Sequence, residues 1–358
     1  MQKNHYSVIG VMSGTSLDGV DLALIDFRVD DTKWTFEIIK SETICYSSFW
    51  VNQLQSAIHF SETELETLNQ EYTQLLAQII FDFIQKHSIS NLDAVCSHGH
   101  TILHQPQKGF TLQIGNLPEL ATIINQKVVC DFRIQDVQLG GQGAPLVPIG
   151  DRILFSDYDF CLNLGGFSNV SFEENGNRIA FDISPVNTVL NFYANQLGLE
   201  FDDKGKIARS GKVNQNLLKN LNSLDFYQKK QPKSLGFEFV KETILPLIDR
   251  YEIAVKDKLC TFTEHIAIQT AMALDNILLR SETKSMLVTG GGAYNDFLLE
   301  RVDFYLPNIE IIIPSKTILE YKEALIFGLL GVLKLRNEIN VLSSVTGAKM
   351  DHSSGIIY

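Results

Sequence analysis

The sequence predicts an α/β fold used twice, in two domains that meet near residue 135. Three observations point there. Each half opens on strands joined by a glycine-bearing hairpin turn, at residues 10–21 in the first half and 160–172 in the second. Each opening leads into helices and strands in alternation, read from hydrophobic spacing. A glycine- and proline-rich stretch, residues 131–151, interrupts the rhythm between them. The length of 358 residues accommodates two domains with a core each.

In the first half, apolar runs at 6–11 and 22–27 flank a turn of Gly, Ser, Thr and Asp, which reads as a hairpin. Gly14 and Gly19 let backbone N–H groups approach a ligand closely. Ser13, Thr15 and Ser16 add donors of the kind that suit phosphate oxygens. An ordinary polar hairpin is the alternative. Residues 34–46 alternate as a third strand. Ser61 with Glu64 forms a capping box, and Leu65, Leu68, Tyr72, Leu75, Leu76, Ile79 and Phe83 follow at helical spacing. Residues 92–96 form a short buried strand that ends at Ser97-His98-Gly99-His100-Thr101. Strands at 112–114 and 128–130 flank a helix at 117–125. Residues 131–151 are expected to be an ordered loop that closes the first domain.

The second half repeats the plan. Strands at 160–164, 168–172 and 178–181 form a meander with Gly165-Gly166 at its first turn. Asp182 ends the third strand, and a helix covers 185–197. A further helix lies at 213–224. Thr261 and Glu264 form a capping box ahead of Ile266, Ile268, Ala271, Leu274, Ile277 and Leu278. A buried strand at 286–289 closes on Gly290-Gly291-Gly292. A helix at 295–304, a strand at 309–313 and an apolar helix at 324–335 complete the chain. Two sheets that each offer a hairpin tip suggest a polyphosphate ligand in a cleft between domains, with hinge closure to exclude water.

Composition removes other classes. The apolar fraction is 45%, that of a folded globular chain. A net charge of -12 argues against a nucleic-acid partner. The first residues lack a signal-peptide pattern, and no apolar run is long enough to span a bilayer, so no membrane partner is expected. Cys45, Cys96, Cys130, Cys161 and Cys260 are scattered and odd in number, which fits reduced thiols in a cytoplasm. His98, His100 and His104 do not complete a metal-ligand spacing and read better as a substrate-side loop. The Gly290–Gly292 turn carries no Walker lysine, against a P-loop kinase.

These residues together identify a family. Gly-Val-Met-Ser-Gly-Thr-Ser-Leu-Asp-Gly-Val-Asp at 10–21 resembles the opening signature of the anhydro-N-acetylmuramic acid kinases, of the sugar-kinase/Hsp70/actin superfamily. Ser97-His98-Gly99-His100-Thr101 is similar to the family's Ser-His-Gly-Gln-Thr. Gln113-Ile114-Gly115, Asp131-Phe132-Arg133, Asp136-Val137 and Gly140-Gly141-Gln142-Gly143-Ala144-Pro145-Leu146-Val147-Pro148 follow in the family's order. So do Asn163-Leu164-Gly165-Gly166, Ser168-Asn169, Gly290-Gly291-Gly292-Ala293 with Asn295, Glu323-Ala324 and Ser344-Val345-Thr346-Gly347-Ala348. The resemblance covers essentially the whole chain. It implies a duplicated actin-like (ribonuclease H-like) fold with an ATP and substrate cleft between domains at 1–135 and 136–339, residues 340–358 packing back on the first. It implies a cytoplasmic enzyme of peptidoglycan recycling, a homodimer in the family. The reaction takes ATP, water and 1,6-anhydro-N-acetylmuramic acid to N-acetylmuramic acid 6-phosphate and ADP.

The resemblance also assigns residues. Asp182 would be the general base that takes a proton from the water attacking the anomeric carbon; a helix N-cap is the plain alternative. Gly14, Thr15, Ser16, Leu17, Asp18, Gly19, Val20 and Asp21 would form the first ATP loop. Asp18 could hold Mg²⁺ through water, or either aspartate could brace the turn. Gly165, Gly166 and Asn169 would be the opposing phosphate clamp. Gly290, Gly291 and Gly292, with Asn295, would form the third loop, before a helix N-terminus that attracts phosphate. His98, Arg133, Gln142, Gly143, Asn187 and Glu323 would face the sugar. Arg133 suits its lactyl carboxylate through a two-pronged contact, or makes a surface or domain-bridging salt bridge. Glu323 would otherwise favour the dipole of the last helix. One departure stands out. The family's Asp-Thr-Gly-Pro-Gly-Asn is here Asp182-Ile183-Ser184-Pro185-Val186-Asn187, without either glycine. That leaves open a kinase for another sugar on the same fold, or a sensor that has lost catalysis.

Overall fold

The computed structural model describes residues 3–14, 16–229, 233–274 and 284–358. Two compact units divide the chain: Met1–Phe155 with Tyr321–Tyr358, and Ser156–Glu320.

In the first unit, β1 (His5–Ser13), β2 (Gly19–Asp30) and β3 (Lys33–Cys45) form an antiparallel meander. Next come β4 (Ala94–Gln105), β5 (Phe110–Ile114) and β6 (Val128–Cys130). The sheet runs β3-β2-β1-β4-β6, with β1, β4 and β6 parallel and β5 paired to β4. The C-terminal strand Ile356–Ile357 adds antiparallel to β6. One face is covered by the helix Glu62–Lys86, whose Leu68, Tyr72, Leu76, Ile80 and Phe83 join Ile9, Val11, Val95 and Val128 in one core. Its start is the expected capping box, with both Ser61–Glu64 bonds made. The helix Lys316–Leu335 is buried from Ala324 to Leu333. Two glycines mark its close approach to the sheet. A side chain at Gly10 would run into the Ala324 carbonyl, and one at Gly331 into Cys96 Sγ.

The second unit repeats the order. Strands β7 (Phe160–Leu164), β8 (Phe167–Glu174) and β9 (Asn177–Pro185) form the meander, followed by β10 (Lys284–Thr289) and β11 (Ile309–Ile312). The sheet runs β9-β8-β7-β10-β11, with β7, β10 and β11 parallel. Its core unites Phe160, Leu162, Val170 and Ile183 with Leu259, Phe262 and Ile266 of the helix Val255–Leu274.

Several expectations change. The helices Ile134–Gln138 and Val147–Leu154 lie within the stretch expected to be loop, and this stretch stays with the first unit. The division therefore falls at 155 and not 135, and again at 321, where Tyr321 is non-helical inside the last helix. Gly10 and Gly331 give the reason, since they seat that helix on the first sheet. Thr261 and Glu264 do not start a helix, because Val255–Leu274 already includes them. Thr261 donates to Asp257 O, and Glu264 accepts from Arg301 and Tyr305. Ile277 and Leu278 lie outside the described residues. Among the described residues, no helix is long and apolar enough to cross a membrane, and no group of three His, Cys, Asp or Glu is placed to hold a metal.

Candidate active site

The tip between β1 and β2 is drawn together by Leu17 N–H, which donates to Gly14 O at 3.3 Å. Leu17 has a φ of 60°, the left-handed region that side chains rarely adopt. Its side chain packs against the core beneath, which holds it there. Ser16 Oγ donates to Asp18 Oδ1 at 2.7 Å, and both are exposed. Asp21 Oδ1 accepts from Thr43 Oγ1 at 2.6 Å. Gly19 and Val20 are framework: Val20 is core, and a side chain at Gly19 would run into the Ile44 carbonyl. Thr15 lies outside the described residues.

Behind this tip, β4 carries a buried polar row. The Ser97–Thr101 motif is strand and not the expected loop, because β4 continues to Gln105 alongside β5. Ser13 Oγ lies 2.7 Å from His100 Nδ1 and 2.6 Å from the Tyr46 hydroxyl, which meets Tyr72 at 2.5 Å. Burial pushes His100 down to about 4, so it is neutral near pH 7. His98 Nδ1 is within 2.9 Å of Gly99 O and so carries the proton, while Nε2 accepts from Arg133 Nε at 2.9 Å. Burial, with Arg133 beside it, holds His98 well below the usual histidine range.

Arg133 is thereby oriented. Its Nη1 donates to Gly143 O at 2.6 Å, which leaves Nη2 uncommitted among the described residues. Burial lowers its pKa to about 10, opposed by Glu323 and Asp136, so the guanidinium stays charged. Glu323 reaches solvent yet is surrounded by protein, and desolvation raises its carboxyl while Arg133 and Lys322 draw it down. The buried pair Lys322–Asp151, at 2.8 Å, fixes the helix beside it. Gln142 turns its side chain outward and uses its N–H on Thr346 O. His104 is exposed and meets Thr111.

In the second unit, Asn163, Asn169 and Asp182 face one another in register across β7, β8 and β9. Asp182 lies within β9, three residues before its end, and not at its terminus as expected. The N-cap alternative fails, because the helix Asn187–Asn195 starts after Val186 with no side-chain cap. Ser184 pairs with Ser168 but Asp182 with Asn169, so Ile183 is the extra residue of a β-bulge. A bulge re-aims the neighbouring side chain. Asp182 Oδ2 accepts from Leu235 N–H at 2.8 Å, and Asp182 N–H donates to Lys233 O. Desolvation by burial raises its pKa, and the Leu235 bond opposes this. Neither Ser184 nor Val186, which stand where the family has its two glycines, has a positive φ, and both are fully buried. The two lost glycines are therefore not needed for backbone angle, and their replacements fill the interior.

Three turns converge beside this row. Val186 N–H donates to Gly166 O at 2.8 Å and Asn187 N–H to Gly165 O at 3.2 Å. Asn187 Nδ2 reaches Leu164 O at 3.2 Å. Gly290 has a φ of 83°, and a side chain there would sit 2.6 Å from Asn163 Oδ1 and 2.8 Å from the Leu164 carbonyl carbon. Only glycine lets the third turn come this close. Gly291–Tyr294 is a 3-10 turn, and Asn295 caps the helix Asp296–Tyr305 through Leu298 N–H. The capped helix start is thus set back from the glycines, and Asn295 Oδ1 is already engaged.

Sequence reasoning passed over Asn116, which follows Gln113-Ile114-Gly115. It is buried, accepts from Ser97 Oγ, and donates to His98 O and Asp131. A polar residue next to a glycine between strands was the only local signal. The Ser13–His100 pair had none, since its members lie on different strands.

Residues 6–358 match the family model described as anhydro-N-acetylmuramic acid kinase. The protein of that name from Mannheimia succiniciproducens is 34% identical over 100% of both chains. The one from Haemophilus influenzae is 33% identical over 100% of this chain and 98% of its own. Among solved structures, component A of the Acidaminococcus fermentans (R)-2-hydroxyglutaryl-CoA dehydratase has a TM-score of 0.48 at 12% identity, covering 92% of this chain and 99% of its own. A Schistosoma mansoni hexokinase complexed with glucose has a TM-score of 0.37 at 10% identity, covering 91% and 85%.

Proposed function

The chain belongs to the anhydro-N-acetylmuramic acid kinase family, and from that premise we propose how its residues carry the reaction. ATP and water convert 1,6-anhydro-N-acetylmuramic acid to N-acetylmuramic acid 6-phosphate and ADP, a step of peptidoglycan recycling. Water attacks the anomeric carbon, the bond to O6 breaks, and O6 attacks the γ-phosphate. The observation that carries this reading is Asp182. It is a partly buried carboxylate with one oxygen held by Leu235 N–H and the other, among the described residues, open to take the proton from that water. Asn163 and Asn169, in register with it, offer amide donors and acceptors for orienting the sugar.

The chain's own groups divide the remaining work. Arg133, aligned by His98 and Gly143, presents Nη2 to the lactyl carboxylate. Glu323 faces the sugar hydroxyls. The carbonyls of Gly165 and Gly166 are taken up by the helix start and Gly165 N–H donates to Phe167 O, so the Gly166 N–H, with those of Gly290–Gly292, would meet phosphate oxygens. At the first tip, Ser16 and the N–H groups around Gly14 would do the same. Asp18 is exposed on that tip and suits Mg²⁺ held through water. When bound with ATP, Mg²⁺ would neutralise phosphate charge. A cytoplasmic setting fits the five free cysteines.

The test is ATP, Mg²⁺ and the anhydro sugar with purified protein, read by mass spectrometry. A phosphorylated, ring-opened sugar is expected, and neither glucose nor N-acetylglucosamine should replace the substrate efficiently. No product from wild type, or equal product from Asp182→Asn, would defeat the reading.

A further inference from the structure

Two sequence blocks, Asp136-Val137 and Ser344-Val345-Thr346-Gly347-Ala348, match the family yet have no part in the chemistry above. In the first unit they meet. The Asp136 carboxylate is fully buried. Its Oδ2 accepts from Gly143 N–H at 2.6 Å, and its Oδ1 accepts from Thr346 Oγ1 at 2.6 Å. His352 Nε2 lies 3.7 Å from the same Oδ1. There is no room for a side chain at Gly141, which would run into the carboxylate. The C-terminal segment adds two backbone bonds, Gln142 N–H to Thr346 O at 2.8 Å and Lys349 N–H to Leu139 O at 3.1 Å. The strapped turn therefore presents Gly143 O to Arg133 Nη1.

We infer that Asp136 and Thr346 are positioning residues for substrate recognition. Through Gly143 they hold the Arg133 guanidinium where it takes the carboxylate of the sugar. The inference rests on the reading of Arg133 as that carboxylate's partner. A buried carboxylate gripping an N–H and a hydroxyl makes strong, charge-assisted bonds. It also attracts Arg133. Losing Thr346 Oγ1 leaves one carboxylate oxygen short of a donor, and that cost falls on the Gly143 turn.

The experiment compares two ligands: the anhydro-muramic sugar, and 1,6-anhydro-N-acetylglucosamine, which lacks the lactyl carboxylate and is measured as substrate or competitive inhibitor. Thr346→Val should raise KM for the first about 10-fold, by loss of one charge-assisted bond, with kcat and the KM for ATP little changed. Thr346→Ser should restore it. Asp136→Asn should do more than Thr346→Val, because its amide puts a donor where Gly143 N–H or Thr346 needs an acceptor. Binding of the carboxylate-free ligand should be unaffected in all three. Equal weakening for both ligands would mean a merely structural tie and overturn the inference. So would unchanged KM in Thr346→Val and Asp136→Asn while Arg133→Lys raises it. If Arg133→Lys also leaves KM unchanged, the reading of Arg133 falls, and this inference with it.

Discussion

The two sheets share a strand order, but their hairpin tips are built from different materials. The first tip is long and made of side chains: Ser16 with Asp18, Leu17 in a left-handed conformation, and Asp21 with Thr43. Behind it lies a buried row of serine, histidines, tyrosines and arginine. The second tip is a tight Gly165-Gly166 turn, joined by backbone bonds to residues 186–188 and approached by Gly290. Duplication has kept the frame and divided the chemistry. In the proposed reading, one half would recognise with side chains, whose trimming should cost less. The other would work through close backbone packing and one carboxylate, and changes there should cost more.

The comparison can be broken at its most sensitive point first. Asp182→Asn keeps the shape and removes the proposed base, so kcat should fall about 10³-fold, within the range for a positioned general base, with both KM values little altered. Near-normal turnover in steady-state assays would remove the carboxylate from the second half's role. Next, Gly290→Ala forces a side chain into a left-handed residue against Asn163 and Leu164. Activity should fall about 100-fold, with a lower melting temperature from strain of roughly 1–3 kcal/mol. Full activity and an unchanged melting curve would show that the turn has slack.

The first half should be gentler. Arg133→Lys keeps the charge but loses the fork that binds Gly143 and is proposed to take a carboxylate with it, so KM for the sugar should rise about 10- to 100-fold. At the mild end, Ser16→Ala removes one exposed hydroxyl, and the KM for ATP should change only about 2- to 5-fold, as for one hydrogen bond. A loss as large as that of Gly290→Ala would erase the contrast between the tips.

A pH profile sharpens the contrast without mutation. As the proposed base, Asp182 must be ionised to accept a proton. Burial raises its pKa, so kcat/KM should fall, as pH drops, at a higher pH than an exposed aspartate would give. Leu235→Pro removes the N–H that favours the charged form and should move this acid limb to still higher pH. His98 and His100 are held neutral by burial, so no histidine step near pH 6.5 should appear. An acid limb unmoved in Leu235→Pro would assign it to another group.

By itself, the sequence determined the repeated strand–turn–strand openings, the Ser61 cap and the family to which the chain belongs. Each rests on local spacing: alternation in strands, helical periodicity, or residue types within a few positions of one another. It also singled out Asp182, but as a strand-ending residue. Pairing with β8 extends β9 past it and makes Ile183 a bulge, because a ladder continues wherever a partner is present. Only the tertiary structure decided that the last helix belongs with the first sheet, since Gly10 and Gly331 act through close approach and leave no periodic trace. It alone set the proton of His98, by placing Gly99 O on one ring nitrogen and Arg133 on the other. It also brought Thr346 to Asp136. Hydrogen bonds between residues so far apart in the chain depend on where the backbone finally packs, and no local pattern encodes that.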